Sequence, residues 1–124
     1  GRSLESVQIF ENCCPFRLWT LAFETLRELY WGDYEKQFAE KELLDRRSLD
    51  KWKWKEKNAE SYFELWARVS KFIDNNGLKN VDDNDLLIYH VHQNVSCVLR
   101  GIYLDLSPTE IVELDHKYED FYIL

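Results

Sequence analysis

The sequence predicts a mainly helical, all-α protein, a compact bundle of about five helices around a long central helix at residues 49–75. Three observations predict it. Apolar residues recur at three- and four-residue steps over most of the chain. Four glycines and two prolines in 124 residues leave material only for short connections. Start and stop signals for helices (Pro15, Gly32, Ser48, Gly77 and the pair Ser107-Pro108) stand at the ends of those periodic stretches. The alternative is an α+β fold, if residues 86–99 form a strand.

The first helix is expected from Pro15, with Leu18, Trp19, Ala22, Phe23, Leu26, Leu29 and Tyr30 on its apolar side and Gly32 as its stop. A surface helix follows from Asp33 to about Arg47, carrying Tyr34, Phe38 and Leu44. Ser48 is placed to cap the central helix, which Gly77 ends. Trp52, Ala59, Trp66 and Ile73 recur at intervals of seven along it and, with Tyr62, Phe63 and Val69, make one apolar stripe. Trp54, Leu65 and Phe72 make a second stripe. Two stripes are more than one neighbour can cover, which places this helix at the centre of the fold.

Ile88, Val91, Val95, Val98 and Ile102 step like a helix, although their β-branched side chains and the alternation around His90 and His92 also suit a strand. The length of the stretch favours a helix, capped by Asp82 or Asp83 with Asp85 nearby at its positive end. Ser107-Pro108-Thr109-Glu110 is the sharpest local signal: Ser caps, Pro takes the first turn and Glu reaches back as in a capping box. The helix it opens would bury Ile111, Leu114, Tyr118 and Phe121 or Tyr122. No linker, repeat or low-complexity tract divides residues 1–124, so a single domain is expected, with residues 1–3 a remnant of tagging or processing.

Composition narrows the class of function. With 45% hydrophobic and 15% aromatic residues the chain has ample material for a core. No apolar run approaches the ~20 residues that span a bilayer, and no signal peptide opens the chain. Three cysteines, two of them adjacent, make a poor disulfide framework and read as reduced thiols of the cytoplasm. Cys14, just ahead of a predicted helix, is placed as a nucleophile would be, but no partner histidine can be assigned to it.

Phosphate loops, dinucleotide fingerprints, nucleophile elbows and HExxH are all absent, and no cofactor is expected. Histidines at 90 and 92 would share a metal on a strand but diverge on a helix, so they are read as ordinary histidines and no metal site is assigned. The 23 acidic residues form many pairs at four-residue spacing, among them Glu24 with Glu28, Glu56 with Glu60 and Glu60 with Glu64, so spacing singles out no catalytic carboxylate. Catalytic residues are left unassigned, and the sequence leans away from an enzyme.

What remains is charge and aromatic surface. The formal net charge is −7, and residues 78–124 carry nine acids against Lys79, Arg100 and Lys117. Five Trp, seven Tyr and seven Phe exceed what so small a domain buries. The leading expectation is therefore an acidic binding protein (an inhibitor, immunity or antitoxin-like factor, or adaptor) meeting a protein partner, basic in charge, through Trp31, Tyr34, Asp105, Glu113, Asp115, Tyr118, Glu119, Asp120 and Tyr122. A second reading takes the basic stretch Arg46, Arg47, Lys51, Lys53, Trp54, Lys55 and Lys57 as a nucleic-acid contact. An enzyme of unidentified type is the third. A homo-oligomer through the second stripe stays open.

Overall fold

In the computed structural model of the chain, which describes residues 2–15, 17–30, 51–53, 59–114 and 122–124, the central helix begins at Tyr62 and not at residue 49. Among these residues the protein is mainly helical, with no strand. The order is α1 (Arg2–Cys13), a single 3₁₀ turn at Glu24–Leu26, α2 (Tyr62–Asn75), α3 (Gln93–Tyr103) and α4 (Pro108–Val112). The expected surface helix over 33–47 lies outside the described residues. No described helix is long and apolar enough to cross a membrane.

The start of α2 is set by a reciprocal capping box. The Ser61 hydroxyl accepts from the Glu64 backbone amide at 3.1 Å, and the Glu64 carboxylate accepts from the Ser61 amide. Its end is a Schellman motif at the predicted stop: Gly77 takes φ 61°, its amide donates to Asp74 O at 3.3 Å, and the Leu78 amide donates to Ile73 O at 3.0 Å. Residues 52 and 59 thus fall outside the helix, and the seven-residue stripe is shorter than periodicity suggested. The face that is buried is Tyr62, Leu65, Val69, Phe72 and Ile73, a mixture of both stripes. Trp66 and the exposed Phe63 turn to one side and meet Trp52 there, with ring centroids 6.1 to 6.3 Å apart. Trp54 lies outside the described residues.

The buried face of α2 packs on Val95, Val98 and Leu99 of α3, and Leu29 and Ile111 close the cluster. The expectation of one helix from Asp82 through Tyr103 is corrected: Asp82–Asp85 is a turn, residues 86–92 are not helical, and α3 opens at His92 as N-cap with φ −80° and ψ 170°. The strand alternative for 86–99 fails too, since residues 93–99 are helical. Tyr89 explains part of this. Its hydroxyl meets that of Tyr103 at 2.8 Å, and the Tyr103 hydroxyl donates to Leu78 O at 2.8 Å, which ties the segment across α3 to the end of α2.

The helix expected from Pro15 to Gly32 is absent from the described part of that range, apart from the 3₁₀ turn. Its apolar residues divide. Trp19, read as core, is 85% exposed with the Arg17 guanidinium 4.5 Å above its ring, whereas Leu26 and Leu29 reach the core. The backbone of 25–30 has other partners: Arg68 donates to the carbonyls of Thr25 and Arg27, Glu60 N donates to Tyr30 O at 2.7 Å, and Tyr30 N donates to the Glu60 carboxylate. Carbonyls held from across the fold do not serve a helical ladder.

Ser107 caps α4 as predicted, its hydroxyl accepting from Glu110 N at 3.2 Å, with Pro108 in the first turn. Of the residues expected beyond Val112, Leu114 lies past the end of the helix, and Tyr118 and Phe121 lie outside the described residues.

Candidate functional site

The starts of α2 and α3 lie together, and the polar groups of the fold converge there. Tyr62, in the first turn of α2, donates from its hydroxyl to Asn94 Oδ1 in the first turn of α3. The Asn94 backbone amide donates to Glu28 Oε2 at 3.2 Å, while Glu28 Oε1 accepts from Leu29 N at 2.9 Å. A carboxylate at this point is stabilised by the positive end of the α3 dipole and by an amide that has no helical acceptor.

Two residues before the start of α2, Glu60 is gripped by Arg68. Nε donates to Oε2 at 2.9 Å and Nη2 to Oε1 at 2.8 Å, a fork that fixes both position and plane of the carboxylate. The pair is little exposed, 13% for the Arg68 side chain and 11% for Glu60. Tyr30 N adds a donor to Oε1 at 3.3 Å, so the stretch 28–30 begins with one anchored carboxylate, Glu28, and ends against another, Glu60.

His92 stands two residues before Asn94, at the start of α3. It is exposed, it is the N-cap of α3, and its imidazole does not cap the helix. The helix start already carries an anion of its own, the Glu28 carboxylate on the Asn94 amide at 3.2 Å, so what His92 adds at this end of α3 is an exposed imidazole. His90 is exposed on the non-helical approach to α3, and His116 lies outside the described residues. No cluster of three or more histidine, cysteine or acidic side chains able to hold a metal occurs among the described residues. A depression of about 520 Å³ beside the C-terminal half of α2, lined by Phe23, Lys71, Phe72 and Asn76 among others, has neither histidine nor carboxylate in its lining.

The family model of the histidine phosphatase superfamily (branch 1) matches residues 2–124. The chain belongs to the histidine phosphatase superfamily. No curated protein and no solved structure matches it.

Membership in this superfamily overturns the leading expectation of an inhibitor, immunity or antitoxin-like factor, or adaptor, and favours the third reading, an enzyme. The polar groups gathered at the two helix starts come from residues 28, 60 to 68 and 92 to 94, too far apart to make a short sequence pattern.

The sequence-predicted contacts are scattered. Asp105 is exposed in the turn after α3 with φ 54°, and Glu113 is exposed at the end of α4. Tyr122 lies beneath the Arg100 guanidinium, 3.8 Å from its ring centroid. Trp31, Tyr34, Asp115, Tyr118, Glu119 and Asp120 lie outside the described residues. Of the basic stretch, Lys51 and Lys53 are exposed on either side of Trp52, and Arg46, Arg47, Trp54, Lys55 and Lys57 lie outside.

Sequence reasoning weighed Glu28 and Glu60 only as members of helical pairs and missed Arg68, Tyr62 and Asn94. One signal was available. Ser61-Tyr62-Phe63-Glu64 is a capping box in plain sight, and reading it would have started α2 there and left Glu60 ahead of the helix. For Cys14, the expected helix N-terminus does not exist: α1 ends at Cys13 and no helix begins at Pro15, so that ground for a nucleophile is gone.

Proposed function

We propose that this protein hydrolyses phosphate monoesters, with His92 in contact with the phosphoryl group. The observation that carries the reading is the position of His92, the described histidine that stands on a helix N-terminus, in a chain of the histidine phosphatase superfamily. The imidazole would donate to a phosphoryl oxygen whose charge grows as the ester bond breaks. The Arg68–Glu60 fork and Glu28 hold the surrounding chain in register, so that this donor is oriented before substrate arrives.

In the overall reaction the P–O bond to the alcohol breaks, water supplies the new oxygen on phosphorus, and the alcohol leaves with a proton. The test is release of alcohol from p-nitrophenyl phosphate and from a small set of sugar and nucleoside monophosphates. Wild type should turn over at least one of these. His92→Ala should lose about 100-fold or more in kcat/KM, and His90→Ala should stay within about threefold of wild type. Equal effects of the two substitutions would remove His92 from the site. A wild-type protein that neither releases alcohol nor binds orthophosphate in a ³¹P titration would overturn the whole reading.

A further inference from the structure

Cys13 and Cys14 are consecutive free thiols at the end of α1, the first exposed and the second half-buried. Cys13 is the last helical residue. Cys14 has left the helix, its amide donating to Glu11 O at 3.3 Å, and Pro15 behind it disfavours a return to helical backbone. The third cysteine, Cys97, is buried in the α3 face of the core, with its Sγ 3.9 Å from Leu114 O.

Two adjacent thiols are poorly placed to bond to each other. Their Cα atoms are about 3.8 Å apart along the chain, whereas unstrained disulfides span about 4.4–6.8 Å. A soft atom inserted between the sulfurs relieves that constraint, because it separates them by two bonds instead of one. Zinc is the wrong atom, since it takes about four protein ligands in a structural site, and no cluster of even three histidine, cysteine or acidic groups occurs among the described residues. Trivalent arsenic fits: it is thiophilic, and an organoarsenical carrying its own carbon substituent needs only two sulfurs.

We propose that Cys13 and Cys14 form a dithiol site for trivalent arsenicals, separate from the phosphate chemistry at α3. With an arsenoxide, each thiol gives up its proton to the oxide oxygen, which leaves as water, and two As–S bonds replace the As=O bond. Arsenic stays trivalent and no oxidant is required. The second sulfur binds at the high effective concentration set by one peptide unit, so the chelate exceeds a single thiol adduct by about 100-fold or more in affinity.

The experiment uses phenylarsine oxide on the reduced full chain, read by intact-mass spectrometry under native conditions and by competition with glutathione. Wild type and Cys97→Ser should each gain one phenylarsenic group with loss of water, resist excess glutathione, and release it to a dimercaptan. Cys13→Ser and Cys14→Ser should each lose about 100-fold or more in affinity. Circular dichroism of every variant checks that the helices persist. Either single variant binding within about threefold of wild type, loss of the adduct in Cys97→Ser, or no adduct on folded wild type overturns the proposal.

Discussion

Arg68 reaches back eight residues to hold both oxygens of Glu60, and with its remaining nitrogen holds the carbonyls of Thr25 and Arg27. One side chain thus ties the residue two positions ahead of α2 to the backbone of residues 25 and 27. Replacing it by alanine strands a little-exposed carboxylate and frees two backbone carbonyls at once. Arg68→Ala should cost about 2–4 kcal/mol in urea denaturation. Arg68→Lys, which cannot make the fork, should recover only part of that. A loss under about 0.5 kcal/mol in Arg68→Ala would show that the grip is ornamental.

Gly101 and Ile111 set how closely α4 approaches α3. A Cβ at residue 101 would lie 2.4 Å from Ile111 Cγ1 and 2.5 Å from Cδ1, and Ile111 is only 1% exposed, so it has little room to yield. Gly101→Ala should destabilise by about 1–3 kcal/mol despite the better helix propensity of alanine. Adding Ile111→Ala to it should cost less than the sum of the two single changes, because the second change removes the clash. Thermal melts of the four chains in the cycle measure this coupling.

The Tyr89, Tyr103 and Leu78 oxygens form a directed chain. Tyr103 has one proton and gives it to Leu78 O, so Tyr89 must donate to Tyr103. Tyr103→Phe strands groups on both sides and should cost about 1–3 kcal/mol, whereas Tyr89→Phe leaves the bond to Leu78 intact and should cost about 1 kcal/mol or less. Burial first, then the Tyr103 hydroxyl, raises the Tyr89 pKa above the ordinary tyrosine range. The folded chain keeps a proton that the unfolded chain surrenders near pH ~10. The stability linked to Tyr89 is complete below that pH and is lost as pH rises through it toward the higher folded value. Urea midpoints at about pH 9 to 11 should therefore fall more steeply for wild type than for Tyr89→Phe, and equal slopes would contradict the assignment.

Asp105 earned attention in the sequence as a contact residue, and its backbone gives it a different duty. It is the left-handed residue of a Schellman motif: φ is 54°, its amide faces Ile102 O at 3.4 Å, and the Leu106 amide donates to Gly101 O at 2.9 Å. Glycine tolerates that conformation better than aspartate. Asp105→Gly should stabilise by about 0.5–1 kcal/mol, read as a raised urea midpoint at unchanged slope. A loss of stability would mean that the carboxylate makes a contact worth more than the strain.

The sequence by itself determined the helical character of the described residues, the stop at Gly77, the cap at Ser107 and the apolar material of α2 and α3. Each of these is written in a few neighbouring residues: a residue able to take positive φ, a hydroxyl one turn before an amide, a face repeated along a helix. Only the tertiary structure decided that 17–30 is not a continuous helix, that α3 opens at His92, and that Glu28, Glu60, Arg68, Tyr62 and Asn94 belong to one place. The physical reason is that those outcomes depend on bonds between residues up to 66 positions apart, Glu28 to Asn94 among them. Local periodicity reports what a segment would do alone. Arg68 and Glu60 change that answer by supplying partners to backbone groups that a helix would otherwise have used.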